Sequence, residues 1–464
     1  MRTFKSTALA LALAAAFPVM AQSNAEVLQE LKALKAKVAE LEAKLAAKDA
    51  AKPTTPQWGM TPEQARELSR VAVKAEAVED AIEAQGLKML KISGFMDPTY
   101  LWNQRQNRAG FQFLNPVASD GYNYDNSYFG GAYLDITKEM DGGTRFKFTL
   151  VPNRGTGSVI GDGSVVQEAS VSIPLTNLQT RFIAGQIPDW SGYEYQQATL
   201  NKLITHNLLY DFTLPTLYTG AGMEYTRGKW LMKFMFNNMN TSKRPSGEKA
   251  PAFAYRVDYS KGEFQGFGFA GVHGKAPNFS GNVLDTDGNV VGQPDSRVDL
   301  FEADAYFIRG DFTWQGQLSY GRQRNASITP AADGSLRDAS WWGASTLLAY
   351  KFIPRWEVVG RLDYLNNTKN GGGLLGYTSA DGRNGIGPGM ALNADSGAWE
   401  PIDPDRGTKR MALSLGLSYQ FNMNTTFKTE YRLDRADQPV FLDVRSGEYR
   451  KTNSVFGTSV VVSF

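Results

Sequence analysis

The sequence predicts an all-β fold: a transmembrane antiparallel β-barrel of about 16 strands with an N-terminal periplasmic α-helical coiled-coil extension. Three observations lead there. The chain ends Thr458-Ser-Val-Val-Val-Ser-Phe464, with Phe456, Val460, Val462 and Phe464 on one face and Gly457, Ser459 and Ser463 on the other. A period-two pattern this apolar on one side fits a strand held between lipid and water. At the other end a short secretory leader is followed by no stretch that approaches the ~20 apolar residues of a spanning helix. Between the two ends, short alternating segments recur from Leu90 onward. An exported chain without an apolar helix can still cross a membrane as a closed barrel, because closure satisfies every backbone group.

Composition agrees. Mean hydropathy is −0.35, aromatic residues make up 12%, and 46 of 464 residues are glycine. Barrels need aromatic girdles and glycine-rich loops, yet look hydrophilic because alternate residues of each strand face water. There is no cysteine, which excludes disulfides and thiolate metal sites. The leader carries two of the 49 basic residues, so the mature chain sets 47 Lys and Arg against 47 Asp and Glu. A near-zero net charge argues against a nucleic-acid partner.

The elements follow in order. Residues 1–21 read as a signal peptide: Arg2 and Lys5, an apolar run from Thr7 to Ala16, and Val19-Met20-Ala21 before the cut. Residues 22–49 form a coiled coil. Val27, Leu31, Leu34, Val38, Leu41 and Leu45 recur at alternating spacings of four and three, and Glu30 with Lys35 and Lys37 with Glu42 pair across g and e positions. A three-heptad helix is marginal alone, which favours a parallel oligomer over a lone solvated helix. Residues 50–88 hold a Pro- and Thr-rich linker and a second helix, with Thr61 as N-cap, Pro62 at N1, Gln64 completing a capping box and Gly86 as the stop.

Residues 89–464 are the barrel. Strands are expected near 90–102, 128–138, 144–152, 165–174, 180–188, 219–227, 229–239, 252–260, 264–273, 299–309, 311–321, 341–352, 356–365, 409–421, 426–435 and 454–464. Shifted boundaries give about 14 or 18 strands. Connections alternate between tight turns such as Arg227-Gly228 and Lys261-Gly262 and long loops such as 189–218, 274–298 and 366–408. Short inner turns and long outer loops are the asymmetry of an outer-membrane barrel. In Phe253-Ala-Tyr-Arg-Val-Asp-Tyr259 the aromatic residues face out and Arg256 and Asp258 face in. Bulky charges opposite small residues suit a water-filled lumen.

The terminal Phe464 resembles the C-terminal signal of Gram-negative outer-membrane barrels. The leader, the coiled coil and the strand Leu90-Lys-Ile-Ser-Gly-Phe95 together resemble trimeric porins, with the phosphate-selective O and P type and an uncharacterised porin-like family nearest in pattern. Val166-Gln-Glu-Ala-Ser-Val171 and Phe182-Ile-Ala-Gly-Gln-Ile-Pro-Asp189 are similar to the strands that precede the pore-narrowing loop in those porins. The resemblance implies a homotrimer in outer-membrane lipid that passes small polar solutes. The basic ladder of phosphate porins is not evident, so phosphate selectivity is not implied.

Candidate chemistry lies in the lumen. The loop 189–218 contains Ala198–Tyr210, too apolar for a free surface loop. Folded inward, it would bury Leu203, Leu208 and Leu209 and offer Lys202, His206, Tyr210 and Asp211 to the constriction; the alternative is an outer loop packed on trimer neighbours. Alternation places Arg145, Lys147, Arg256, Arg361, Lys428 and Arg432 on the inner wall against the acidic Glu302 and Asp304. Charge rings set ion preference in pores, and here the signs nearly balance. Asp285-Thr-Asp-Gly-Asn289 lacks the bidentate Glu of a calcium loop and reads as a turn. Neither His206 nor His273 is spaced for a serine hydrolase. The expectation is therefore a porin with no enzymatic activity, no cofactor and no metal. The rival reading is a tethering barrel whose coiled coil binds other envelope components.

Overall fold

The computed structural model describes residues 61–84, 87–113, 130–151, 165–215, 217–239, 251–277, 295–327, 335–369, 385–403 and 406–464, with short pieces at 35–37, 39–40, 43, 283–284 and 290–292. The leader, most of the coiled coil, the linker and Asp285–Asn289 lie outside these residues. The chain divides into two units, Met1–Lys88 and Met89–Phe464. In the first, the helix Pro62–Ala84 starts at a reciprocal cap. Thr61 N–H donates to Gln64 Oε1 at 3.1 Å and Gln64 N–H to Thr61 Oγ1 at 3.3 Å, which satisfies two otherwise orphaned donors. No helix among the described residues is long and apolar enough to cross a membrane.

The second unit is a closed antiparallel barrel of 16 strands. In order they are Leu90–Met96 continued by Thr99–Asn103, then Ala132–Glu139, Arg145–Leu150, Val166–Asn177, Thr180–Pro188, Leu217–Arg227, Trp230–Met239, Ala252–Ser260, Gln265–Pro277, Asp295–Arg309, Phe312–Gln323, Ala339–Ile353, Trp356–Lys369, Lys409–Asn422, Thr425–Ala436 and Thr452–Ser463. The first strand closes on the last, with Phe95 opposite Ser463 and Thr99 opposite Ser459. Closure removes the exposed edge that an open sheet would leave in lipid.

Side-chain exposure follows the alternation. Along Lys409–Asn422, Met411, Leu413, Leu415 and Leu417 are exposed, while Arg410, Ala412 and Ser414 are buried. The exposed face would meet lipid. Aromatic pairs mark its edges: Trp230 with Tyr259 at 4.9 Å and Trp356 with Tyr419 at 4.7 Å stand at the short-turn end, and Trp342 with Tyr364 at 5.0 Å stands farther up. The tight turns use residues with positive φ, including Gly228, Gly262, Gly310 and, unusually for a residue with a Cβ, Arg355 at 72°.

The first strand departs from the sequence expectation of one piece over 90–102. Pro98 has no N–H for the ladder. The Asp97 carboxylate instead takes the backbone N–H groups of Gly130 and Gly131 at 3.1 and 2.7 Å. Beyond this break Thr99–Asn103 pairs with a spur, Arg108–Gln112. Two segments expected as loops also contain hairpins, Met390–Leu392 with Trp399–Pro401 and Phe441–Asp443 with Glu448–Arg450.

The apolar core lies inside the barrel. Leu208, Leu209, Phe212 and Leu214 of the connection after Pro188 pack with inward Met235, Ala254, Val272, Leu300 and Trp341. Each large side chain buried this way contributes about 1.5–3 kcal/mol.

Candidate functional site

The connection 189–216 begins with a built corner. Asp189 accepts from Ser191 N–H and Ser191 Oγ, both at 3.0 Å, and from the Tyr218 hydroxyl. Burial pushes the Asp189 carboxyl up to about 6, although the Tyr218 and Ser191 donors pull it down. Trp190 meets Tyr218 edge-on at 5.3 Å. The chain then crosses toward strands far along the sequence. Tyr193 Oη lies 2.7 Å from Ser345 Oγ. Asn207 caps a short helix, Leu208–Phe212, by accepting from Tyr210 N–H at 2.8 Å, and its own N–H donates to Glu194 Oε2 at 2.6 Å.

Inward side chains of the last strands hold the middle of the loop. Arg361 donates to Glu194 Oε1 at 2.8 Å, to the Thr205 carbonyl at 2.7 Å, to the His206 carbonyl at 2.9 Å and to Asp363 at 3.1 Å. Glu430 Oε2 accepts from the N–H groups of Ile204 and Thr205, each at 2.8 Å, and its Oε1 accepts from Thr205 Oγ1 at 2.6 Å. Arg432 donates to the His206 carbonyl at 2.6 Å and pairs with Asp434 at 3.1 Å. Lys428 Nζ donates to the Ala198 and Asn201 carbonyls, and Lys202 Nζ pairs with Glu357 at 2.7 Å. Arg410 stands between the Phe212 and Phe441 rings at 5.2 and 5.1 Å and pairs with Asp434 at 2.8 Å. Irregular backbone at membrane depth is tolerated where protein satisfies its polar groups, and these wall residues do so.

Glycine makes the seat. A Cβ at Gly343 would run into Leu209, and one at Gly416 into Leu203. The inner wall away from the loop carries self-contained pairs: Lys147 with Glu168 at 2.7 Å, Lys233 with Glu224 at 3.3 Å and Arg145 with Glu139 at 3.0 Å. Arg256 pairs with Asp258 at 2.6 Å, with Asp304, and with Glu302 at 3.6 Å. Under the loop, at the short-turn end, a cavity of about 530 Å³ is lined by Lys202, Lys351, Arg355, Glu357 and Lys428.

A family profile described as "Protein of unknown function (DUF3138)" matches residues 59–464. The chain belongs to the DUF3138 family. No curated protein matches the sequence. Among solved structures, the fold is similar to an anion-selective porin from Comamonas acidovorans, 11% identical, with a TM-score of 0.50 over 81% of this chain and 99% of that one. The outer membrane channel DcaP of Acinetobacter baumannii is 11% identical with a TM-score of 0.48, covering 81% and 97%. OmpF of Salmonella typhi is 13% identical with a TM-score of 0.47, covering 81% and 97%. The likeness to the first is one of fold: this DUF3138 barrel has the architecture of a porin barrel.

The sequence-derived residues fall into two groups in this DUF3138 chain. Lys202 and Tyr210 keep partial exposure, whereas His206 and Asp211 are 3% exposed and lie in the seam between loop and wall. His206 stacks on Tyr210 at 4.2 Å. Arg361, Lys428 and Arg432 point inward but are covered by the loop; Arg145 and Lys147 stand on the uncovered wall, and Arg256 is half-covered with Asp304 while Glu302 is buried. Glu194, Thr205, Asn207 and Arg410 escaped sequence reasoning. One signal was available. Arg256-Val-Asp258, Arg361-Leu-Asp363 and Arg432-Leu-Asp434 repeat Arg-x-Asp, which puts both charges on one face of a strand, and in each the Arg Nε donates to the Asp. Among the described residues no group of His, Asp and Glu is arranged to hold a metal ion.

Proposed function

We propose that the protein is an outer-membrane channel through which small hydrophilic solutes or ions diffuse, narrowed by the loop 189–218. The observation that carries this reading is the set of bonds from Glu194, Ile204, Thr205 and His206 to inward Arg361, Glu430 and Arg432. They tie the loop to the inner wall, where it takes up lumen cross-section. Lys202 and Tyr210 then belong to the constriction surface, with His206 and Asp211 behind them. Charge in a narrow, low-dielectric passage acts more strongly than at a wide mouth. In planar bilayers, Lys202→Glu shifts the reversal potential toward cations more than Lys275→Glu does at the outer end. Deleting 196–210 raises single-channel conductance. Equal shifts for the two lysines, with conductance unchanged by the deletion, would refute the constriction.

The mature protein acts as a homotrimer whose heptads at 24–48 stand on the periplasmic side. The heptad pattern supports this reading. A monomer in mild detergent by light scattering would remove it.

A further inference from the structure

The uncovered wall holds a chamber of about 240 Å³ beside the root of the loop. At ~30 Å³ per water this is the volume of about eight waters, the scale of one amino acid rather than an oligosaccharide. Its charged lining is two pairs of opposite sign, Lys147 with Glu168 at 2.7 Å and Lys233 with Glu224 at 3.3 Å, plus Arg145. The lysine side chains of these pairs stay 37% and 26% exposed, so each can exchange its partner for a solute. Lys233 Nζ also sits 5.9 Å from the Trp190 ring centroid. Ile183, Ile187 and Trp190 make an apolar side, and Ser170 and Ser172 add hydroxyls.

We propose that this chamber is a specificity subsite for small zwitterions, namely α-amino acids with an apolar side chain. The proposal rests on the channel reading for the solute's route of access. A simple anion that takes the place of Glu224 on Lys233 leaves Glu224 without its counter-ion, and a simple cation that takes the place of Lys233 on Glu224 leaves Lys233 without one. A neutral solute gains only the ring and the hydroxyls. A zwitterion sets its carboxylate on a lysine and its ammonium on a glutamate, replacing each charge's partner with one of the same sign, while its side chain lies on Ile187 and Trp190. Charge-assisted hydrogen bonds of this kind are the stronger class.

The test uses the full mature chain in planar bilayers, with L-leucine, 4-methylpentanoate and 3-methylbutylamine added to KCl. These share one carbon skeleton and differ only in charged groups. L-Leucine reduces the KCl current at a half-blocking concentration about tenfold below either analogue, one ion pair's worth of discrimination. Glu224→Gln and Lys233→Gln each weaken the leucine block, while Lys229→Gln, in an adjacent tight turn outside the chamber, leaves it unchanged. Equal block by leucine and by the acid, or a leucine block indifferent to Glu224→Gln, overturns the proposal and leaves the channel standing. Absence of any current defeats the channel reading instead. Equilibrium dialysis of labelled leucine against the detergent-solubilised protein and the Glu224→Gln variant then decides the subsite: retention lost in the variant supports it, and no retention by the unaltered protein overturns it.

Discussion

Arg361 is fully buried and touches Glu194, Asp363 and two loop carbonyls. Removing one partner of a buried ion network leaves the remaining charges unpaired, which costs on the order of 3–5 kcal/mol. Arg361→Met is expected to lower the urea midpoint of the folded barrel and to expose Lys202 to trypsin. An unchanged midpoint together with an uncut loop would count against the anchoring role. Asp189 gives a pH prediction. Its carboxyl is raised from 3.8 to about 6, so the folded chain holds that proton where the unfolded chain has released it. Stability from this group is therefore full below pH 3.8 and falls as pH rises through 6. Asp189→Asn is expected to flatten the pH dependence of the urea midpoint across that window. A slope identical to the parent's would show that another group sets it.

At the scale of elements, the loop and the wall are matched shapes. Gly343 and Gly416 leave room for Leu209 and Leu203, while Gly360 faces outward with only Leu415 near, at 3.9 Å. Gly343→Val and Gly416→Val are each expected to displace the loop and raise its trypsin sensitivity; Gly360→Val is not. Equal sensitivity in all three would make the effect one of strand propensity rather than seating. The strands were legible in the sequence because alternation reports a face, and the tight turns carried Gly at positions that need positive φ. The seat was not legible. Inward Arg361, Arg432 and Lys428 show the same period-two pattern as inward Lys147, since alternation separates inside from outside but is blind to what covers the inside. Pro98 was visible, yet the spur it permits, Arg108–Gln112, needed the carboxylate of Asp97 turned toward Gly130 and Gly131. The wall residues between Ser345 and Arg432 that hydrogen-bond residues 193–206 of the loop lie 152 to 230 positions away, a distance at which no local pattern exists.

For the whole molecule, the barrel is sealed by its last residue. Gly94 N–H donates to the Phe464 carbonyl at 3.1 Å, Phe464 N–H donates to the Gly94 carbonyl at 3.0 Å, and the Phe464 ring rests over Gly94. As one partly exposed side chain, Phe464 contributes no more than about 1.5–3 kcal/mol of burial. Phe464→Ala is therefore expected to reduce outer-membrane insertion in cells at high expression more than it lowers the urea midpoint of the inserted fraction. Insertion equal to the parent's would deny the terminal residue a role in assembly. The seam also dictates timing. Made from its N-terminus, the chain completes Glu194 and the apolar segment Leu208–Phe212 long before Arg361, Glu430 and Arg432 arrive to receive them. Bringing partners so distant in sequence together is slow, and for that interval the future heart of the barrel is an unguarded strip of greasy, charged chain. Until the last strands form, whatever binds or cleaves unfolded chain finds exposed the segment that ends up most deeply enclosed.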